Sequence, residues 1–374
     1  DDIDGEAADD QSGRSVSLSA DGSVVAIGAP YNDYGSSFWE RSSGHVRIYQ
    51  IDGDTWTQIG EDIDGESSTD LSGGSVSLSP DGSVVAIGAS GNDDNGSGSG
   101  HVRIYQNNTG TWTKVGDDID GEAAGDYSGG SVSLSHNGVT DVVAIGAYGN
   151  DDNGSSSGHV RIYQNVGDTW TKIGEDIDGE AGGDESGSSL ALSSDGSVVA
   201  IGSRFNNGNG EYSGHVRIYQ INGLTWNQIG NDIDGESAGD FSGNSVALSS
   251  DGSVVAIGAS YNDGNGEYSG HVRIYQNDGG TWTQILHDID GETANDFSSN
   301  SVALSSDGSV VAIGAERNDG NGNNSGHVRI YQETSGIFQN LSENTTEVTT
   351  FTATHDGGDT ISWSISGDDS GLFD

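Results

Sequence analysis

The hydrophobic residues of this chain lie in short runs that alternate with polar, glycine-rich segments. Between residues 62 and 117, the runs cover residues 75–79, 84–89, 101–106 and 111–115. Val, Ile, Tyr, Thr and Trp dominate these runs, whereas Gly, Asn, Asp and Ser fill the segments between them. The pattern predicts four short β-strands, and no stretch shows a convincing helical period.

The four-strand pattern is repeated six times along the chain. The phrase GHVRIYQ recurs with its histidine at positions 45, 101, 159, 215, 271 and 327, and the phrase DIDGE recurs six times in step with it. Asp81 and Gly82, a hairpin-turn dipeptide, lie between the first two runs, and the same dipeptide recurs in four other units. A fixed period of about 56 residues indicates a repeat architecture.

Six stacked units of four antiparallel strands predict an all-β fold, a six-bladed β-propeller. The sixth unit ends in a degenerate fourth strand, where Phe338 replaces the tryptophan of the other five units. Seven blades are less favoured, because the 33 residues after residue 341 hardly supply the strands of another blade. A β-solenoid is the alternative, although its coils are usually shorter than this period. We therefore predict a propeller over residues 1–341 and a short β extension over residues 342–374.

The composition alone suggests a different kind of chain. Val, Ile, Leu and Phe make up just under a fifth of the 374 residues, and 59 acidic residues against 12 basic ones give a net charge of −47. Such values are typical of intrinsic disorder, but the regular repeat overrules that interpretation. They also exclude membrane insertion and the binding of nucleic acid phosphates. The absence of Cys and Met excludes disulfides and indicates a mature or excised piece of a longer protein.

The recurring phrases SVSLS, DG, SVVAIGA and GHVRIYQ together resemble the FG-GAP repeat of integrin-α-type propellers. In this chain SG stands before the first strand in place of FG, and residues 27–30 read IGAP. The resemblance implies a propeller fold, extracellular placement and adhesion or ligand binding. The family often carries a DxDxDG calcium loop between strands 1 and 2, but this chain has only SSDGS or SPDGS there, so that site is not carried over.

Residues 342–374 show a second resemblance. The segment SENTTEVTTFTATHDGGDTISWSISGDDSGLF is similar to the opening of a cadherin-like domain of bacterial-type surface adhesins. It covers about a third of such a domain. The resemblance implies that flanking domains of a longer polypeptide adjoin the propeller.

Most of the acidic residues are expected at one end of the propeller. In a four-stranded antiparallel blade, the loops between strands 2 and 3 emerge at the same end as the links between blades, and these two segments carry most of the carboxylates. Like charges at this density repel one another, and bound cations relieve the repulsion. In one link, Asp62, Asp64, Glu66 and Asp70 have a spacing similar to that of calcium-loop ligands, without the glycine and distal glutamate of an EF-hand.

We therefore predict Ca²⁺ sites in these segments, about one per blade. The alternative is that both segments are solvated turn sequences with left-handed backbone geometry. The predicted metal ligands are Asp62, Asp64, Glu66, Asp70, Asp93, Asp94, Asp118, Asp120, Glu122, Asp151, Asp152, Asp232, Asp234, Glu236, Asp263, Asp288, Asp290, Glu292 and Asp319.

His, Ser and Asp recur in every blade and superficially offer the parts of a catalytic triad. Six equivalent copies argue against a catalytic centre, because active sites are normally single and asymmetric. In HVRIYQ, the His, Arg and Tyr residues share one face of strand 3, which we expect to meet the next blade and to hold structural His–Arg–Tyr hydrogen bonds. The strand-4 tryptophan is likewise expected to pack between blades rather than to bind a sugar.

The loop between strands 2 and 3 of blade 1 is four residues longer than the equivalent loops of the other blades. Its aromatic cluster is a candidate binding site for a sugar or a partner protein. The alternative is that the rings cover the backbone of the loop. The predicted ligand-binding residues are Tyr34, Phe38, Trp39 and Arg41.

Together these features predict a non-enzymatic extracellular adhesion or interaction module at the cell surface. The module would belong to a larger surface protein and would be stabilised by Ca²⁺. Its expected partners are an extracellular protein or a glycan, with no nucleic acid and no membrane insertion. The alternatives are a carbohydrate-binding lectin and an architectural subunit of a surface fibre.

Overall fold

A computed structural model describes residues 2–33, 42–136, 138, 140–334, 337–340, 350–354 and 360–364. Over these residues the fold is all-β, a six-bladed propeller of antiparallel blades, as predicted. The described residues include no helix that is long and apolar enough to cross a membrane.

Each blade is built from four main strands in chain order. The first strands are Ser15–Leu18, Ser75–Leu78, Ser131–His136, Ser189–Leu192, Ser245–Leu248 and Ser298–Leu304. The second strands are Val24–Ala29, Val84–Ala89, Asp141–Ala147, Val198–Ser203, Val254–Ala259 and Val310–Ala315. The third strands are His45–Asp52, His101–Asn107, His159–Asn165, His215–Asn222, His271–Asp278 and His327–Thr334. The fourth strands are Thr55–Gln58, Trp112–Lys114, Trp170–Lys172, Thr225–Gln228, Thr281–Gln284 and Ile337–Asn340.

The DIDGE links add a short fifth strand that the sequence analysis did not predict. These strands are Ile63–Asp64, Ile119–Asp120, Ile177–Asp178, Ile233–Asp234 and Ile289–Asp290. Each pairs antiparallel with the start of the third strand of the preceding blade; Asp64, for example, lies opposite His45. The isoleucine between the two aspartates is buried or half-buried. The link is therefore part of the sheet rather than a solvated turn.

The hydrophobic core lies between blades. Alternate residues of strands 2 and 3 face opposite neighbours, so each blade presents one apolar face to the blade before it and another to the blade after it. The interface between blades 1 and 2 is typical, and its buried members are Val24, Ala26, Val46, Ile48, Ile63, Val76, Leu78, Val85 and Ile87. Because Val, Ala and Ile fill both faces of the second strand, that strand reads as a continuous apolar run, VVAIGA or VVAIGS.

Glycine in the VVAIGA strand lets neighbouring blades approach closely. A Cβ atom placed on Gly88 of blade 2 would lie 2.1 Å from the carbonyl oxygen of Gly129 in blade 3. Any larger residue would clash with this backbone, so the repeated glycine is a packing requirement.

The strand-3 arginine ties each blade to the one before it. Arg103 lies over the ring of Tyr105 at 5.7 Å, and its guanidinium donates a 2.6 Å hydrogen bond to the carbonyl of Asp64 in the preceding link. The face that carries His, Arg and Tyr therefore meets the preceding blade, and the prediction that it meets the next blade is wrong. Residue alternation reveals that the three side chains share a face, but not which neighbour that face contacts.

The indole of the strand-4 tryptophan also contacts the preceding blade. Trp112 packs against the core between blades 1 and 2, and its indole nitrogen donates a 2.9 Å hydrogen bond to the carbonyl of Ile59. The same bond recurs at Trp170, Trp226 and Trp282. The predicted packing role is thus confirmed for these residues.

Blades 1 and 6 each have one apolar face that the described residues leave uncovered. Val16 and Leu18 of blade 1 are 55% and 56% exposed, whereas Leu78, the equivalent of Leu18 in blade 2, is only 5% exposed. Val328 and Ile330 of blade 6 are 63% and 43% exposed, whereas their equivalents in the other blades are almost fully buried. Within the described part of the chain, the ring therefore contains five tightly packed interfaces and one open sector.

The predicted cadherin-like segment falls mostly outside the described residues. The structure describes two strands there, Thr350–Thr354 and Thr360–Ser364, which pair antiparallel with each other. This pairing agrees with the predicted β extension, and the cadherin-like character stays a prediction.

Because of the open sector, shortening an apolar side chain should destabilise the fold less on the uncovered faces of blades 1 and 6 than at a packed interface between blades. Leu78→Ala is expected to lower the free energy of unfolding by about 3 kcal/mol, because it leaves a cavity in a packed interface. Leu18→Ala should cost less than about 1 kcal/mol, because most of this side chain is already in water. Urea denaturation of both variants measures the difference. Equal losses would mean that the blade 1 face is covered in solution.

The turn between strands 1 and 2 gives a second prediction, at Asp251 in blade 5. Its carboxylate accepts hydrogen bonds from the hydroxyl of Ser249 at 2.8 Å and from the amide and hydroxyl of Ser253 at 2.9 and 2.7 Å. Burial alone would raise the pKa of Asp251, but these bonds hold the pKa below its ordinary value. The stabilisation is therefore present above the unfolded pKa and is lost as the pH falls through the folded pKa.

Asp251→Asn should thus lower the free energy of unfolding by about 1 kcal/mol at pH 7, and the difference from wild type should shrink toward zero in strong acid. Denaturation at a series of pH values measures this. Asp54→Asn, at an exposed turn between strands 3 and 4, is the control and should change the free energy of unfolding at pH 7 by less than about 0.5 kcal/mol. A difference for Asp251→Asn that stays constant with pH would contradict the assigned role of the carboxylate.

Candidate functional site

The acidic loops and links meet at one end of the propeller. In the loop between strands 2 and 3 of blade 2, the side-chain amide of Asn95 donates hydrogen bonds of 2.8 and 3.0 Å to the carbonyls of Gly121 and Glu122 in the following link. The same bonds recur at Asn153, Asn209 and Asn265. These amide bridges hold the two acidic segments side by side, as expected from the blade topology.

Beneath this acidic end, the first residue of each third strand is a histidine whose Nδ1 faces carboxylates from the links. In blade 1, Nδ1 of His45 lies 3.8 Å from Glu6 in the link before the blade and 3.9 Å from Asp62 in the link after it. Equivalent pairs, all between 3.7 and 4.0 Å, join His159 to Glu122, His215 to Glu180, His271 to Glu236 and Asp288, and His327 to Glu292. We call these groups the histidine–carboxylate clusters.

The imidazoles are buried and short of hydrogen-bond partners. His101 and His159 are fully buried, and neither nitrogen of either ring has a hydrogen-bond partner among the described residues. The predicted His–Arg–Tyr hydrogen bonding is therefore wrong at these two rings, because the arginine turns away to stack on tyrosine and to bind a backbone carbonyl. Burial, and then the charge of the adjacent arginine, lowers the pKa of both histidines.

The carboxylates of one DIDGE link go to different places. Asp62 faces His45 of blade 1, whereas Glu66 lies 3.5 Å from Arg103 and belongs to the cluster around His101 of blade 2. Asp70 is buried and accepts hydrogen bonds from the amides of Glu66 and Ser67, which makes it a turn-stabilising residue. The predicted ligands of a single link therefore lie next to two different blades. Carboxylates converge at the interface between blades and not within one link.

The second aspartate of DIDGE has a raised pKa in several links. Burial, reinforced by the neighbouring first aspartate, raises the pKa of Asp64, Asp120, Asp234 and Asp290. Burial likewise raises the pKa of Glu236. Burial and the nearby negative charges thus both disfavour ionisation of these carboxyl groups.

The predicted ligands in the loops between strands 2 and 3 have two separate roles. Asp93 accepts a 2.7 Å hydrogen bond from the amide of Gly98 and so closes its own loop. Asp151, Asp263 and Asp319 do the same in blades 3, 5 and 6. By contrast, Asp94 and Asp152 turn inward, and each lies 3.9 Å from Nδ1 of the histidine in its blade.

Among the other predicted ligands, Asp118 accepts a 2.7 Å hydrogen bond from Lys114, and Asp232 and Asp288 accept hydrogen bonds from Gln228 and Gln284. Tyr34, Phe38, Trp39 and Arg41, predicted to bind a ligand, lie outside the described residues.

Two cavities open between neighbouring blades next to the links. One, of about 320 Å³, lies between blades 2 and 3 and is lined by Asp118, Asp120, Tyr163 and Trp170 among others. A similar cavity of about 310 Å³ lies between blades 1 and 2, with Asp62, Asp64, Tyr105 and Trp112 in its lining. Each cavity thus combines paired carboxylates with two aromatic rings, a combination that the sequence analysis did not identify because the residues come from different repeats.

A chain of aromatic rings crosses the acidic end from blade 4 to blade 6. The rings belong to Phe205, Tyr212, Phe241, Tyr261, Tyr268 and Phe297, and successive centroids lie 4.6 to 6.0 Å apart. Phe241 and Phe297 follow the links, which the sequence analysis searched only for carboxylates.

The burial of the histidines makes a prediction about their charge. The pKa of His215 and that of His271 are lowered to about 4, chiefly by burial and then by the neighbouring arginine. Both rings should therefore stay neutral at pH 7 and take up a proton only near pH 4, with a loss of stability as the pH falls below about 6.5. Nitrogen-15 chemical shifts of the imidazoles measure this. Protonation of either ring near pH 6.5 would contradict the assigned burial.

The sequence matches the family model of the FG-GAP repeat over residues 119–163 and 282–331. No curated protein matches the chain. Among solved structures, the chain is similar to a candidate 6-phosphogluconolactonase from Bacteroides uniformis, with 11% identity, a TM-score of 0.59 and coverage of 88% of this chain and 84% of that one. It is also similar to the periplasmic gluconolactonase PpgL of Pseudomonas aeruginosa, with 16% identity, a TM-score of 0.55 and the same coverage.

These comparisons correct the prediction of a non-enzymatic adhesion or interaction module. Both solved structures are named for gluconolactonases, which are enzymes, so the conclusion that the chain is not an enzyme does not stand. At 11% and 16% identity, the likeness establishes the propeller fold alone. Residues 119–163 and 282–331 thus match the FG-GAP repeat and lie within a six-bladed β-propeller.

Proposed function

We propose that the chain is a hydrolase that opens an uncharged polyhydroxylated lactone. The observation that carries the proposal is the cavity between blades 2 and 3, which places paired carboxylates beside two aromatic rings. At about 320 Å³ it is within the size range of small-molecule sites. The cavity between blades 1 and 2 repeats the arrangement, so the chain offers two equivalent sites.

The lining suits a sugar-derived ring. Trp170 and Tyr163 offer apolar ring surface for the C–H face of such a ring, while carboxylate oxygens accept hydrogen bonds from its hydroxyl groups. Asp118 is held in place by Lys114 at 2.7 Å, which orients one carboxylate for binding. The indole nitrogen of Trp170 is occupied by the carbonyl of Val115, so this ring contributes surface rather than a hydrogen bond to the ligand.

Asp120 is the residue we assign to the chemistry. Its carboxylate takes a proton from a water molecule, the resulting hydroxide adds to the lactone carbonyl carbon, and the ring C–O bond breaks. The proton then passes from Asp120 to the departing oxygen, which leaves a hydroxy acid as the product. One water is consumed per lactone, and the carboxylate is regenerated.

The charge of the acidic end selects among lactones. A chain of net charge −47 with carboxylates in the cavity repels an anionic phosphorylated substrate. An uncharged lactone such as glucono-1,5-lactone therefore fits better than its 6-phosphate. The product acid is an anion and is expelled by the same field.

We also propose that the chain acts outside the cytoplasm. The absence of cysteine and the strongly acidic charge are compatible with this location. The periplasmic name of one structural neighbour supports it.

The proposal is tested by the rate of proton release from glucono-1,5-lactone, measured with a pH indicator against the spontaneous rate. Because two cavities contribute, Asp120→Asn or Asp64→Asn alone should lower the catalysed rate by about half, and the double variant should lower it by about 100-fold or more. Asp251→Asn, at the opposite end of the propeller, is the control and should leave the rate unchanged. Circular dichroism establishes that each variant is folded.

The same assay is run with 6-phosphoglucono-1,5-lactone, which should be opened more slowly at low ionic strength. Proton release at the spontaneous rate with wild-type protein on both lactones would overturn the proposal. Full activity of the folded double variant would move the reaction away from these cavities.

A further inference from the structure

The six histidine–carboxylate clusters are not identical. In blades 2 and 3, the loop between strands 2 and 3 supplies an additional aspartate, Asp94 or Asp152. In blades 4, 5 and 6 the same loop position is a glycine, at Gly208, Gly264 and Gly320. The histidines of blades 2 and 3 therefore face a carboxylate from the loop as well as carboxylates from the links.

In blade 2 the additional carboxylate completes a convergent set of ligand atoms. Nδ1 of His101 lies 3.9 Å from Asp94, and the ligand atoms of Glu66, Asp94 and His101 are all within 4.8 Å of one another. In blade 3, Nδ1 of His159 lies 4.0 Å from Glu122 and 3.9 Å from Asp152.

The two imidazoles give an independent indication that a ligand is missing. His101 and His159 are fully buried, and their Nδ1 atoms point at the carboxylates without a hydrogen bond. A buried polar nitrogen without a hydrogen-bond partner destabilises the folded state. A cation shared with the carboxylates would satisfy Nδ1 and would also reduce the repulsion between the acids.

We propose that blades 2 and 3 each bind one divalent transition-metal ion of the Zn²⁺ class at the acidic end. In blade 2 the ligands are Nδ1 of His101 and the carboxylates of Glu66 and Asp94. In blade 3 they are Nδ1 of His159 and the carboxylates that face it, Glu122 at 4.0 Å and Asp152 at 3.9 Å.

The ligand chemistry selects this class of ion over the Ca²⁺ predicted from the sequence. Ca²⁺ takes six to eight oxygen ligands, whereas one imidazole with carboxylates suits Zn²⁺ and its neighbours. In a tetrahedral Zn²⁺ site, ligand atoms at about 2.1 Å from the ion lie about 3.4 Å apart. Asp94 lies 3.9 Å from Nδ1 of His101, so this exposed carboxylate needs to move inward by only about half an ångström to reach that separation.

The surrounding residues orient the ligands. One oxygen of Glu122 lies 3.6 Å from Arg161, while its other oxygen faces His159. The arginine thus holds the glutamate with its free oxygen toward the imidazole, as outer-shell partners do in metal sites. Glu66 is held by Arg103 in the same way at 3.5 Å.

The test is a titration of the whole chain with Zn²⁺ at pH 7.2 in 150 mM salt and millimolar Mg²⁺, followed by calorimetry. We expect two sites per chain, with Asp94→Asn weakening one site at least tenfold and the Asp94→Asn, Asp152→Asn double variant weakening both. Asp263→Asn, which removes a carboxylate from the equivalent loop of blade 5, is the matched control and should leave both sites intact. Titration with Co²⁺ should produce a visible absorption band that His101→Ala and His159→Ala together abolish.

No Zn²⁺ binding by the wild-type chain would overturn the inference, and so would unchanged binding by the folded double variant. Six equal sites per chain would also overturn it, because that result would assign binding to features shared by all blades. The titration needs no lactone, so its outcome is independent of the proposed hydrolase activity.

Discussion

The packing of one valine- and isoleucine-lined sheet face on the next is the interaction on which the rest of the structure depends. Each blade is too thin to bury its own apolar residues, and only a neighbouring blade removes them from water. This arrangement lets a chain with few large hydrophobic residues fold, because most of the Val and Ile residues of the second and third strands lie at an interface between blades. The strand-3 arginines add a directional bond from each blade to the preceding link.

The same interfaces produce the acidic end. Because the links and the loops between strands 2 and 3 emerge together, carboxylates from two successive links are brought to one histidine. The apolar core lies below this layer, so the repulsion among the acids acts on loops held by asparagine bridges and not on the core itself. The apolar core therefore determines the stability of the blade, whereas the loops and links determine its surface chemistry. Residues of the loops and links can change without a change in the core.

Much of the fold could be predicted from the sequence, because strand patterning and the fixed period are local properties of each repeat. The four strands of blade 2 lie within a residue or two of their predicted positions. The short strand Ile63–Asp64 was missed, since two residues carry too little alternation to indicate a strand. The grouping of Glu66, Asp94 and His101 was also missed, because spacing along one loop says nothing about carboxylates contributed by the neighbouring repeat.

The faces of blades 1 and 6 that the described residues leave uncovered affect where unfolding begins. A closed ring has no first or last element, but an arc of stacked sheets has two ends, and each end sheet is held from one side only. Opening should therefore begin at these ends and move inward, as in a linear array of repeats. Backbone amides in blades 3 and 4 are then the last to exchange with solvent.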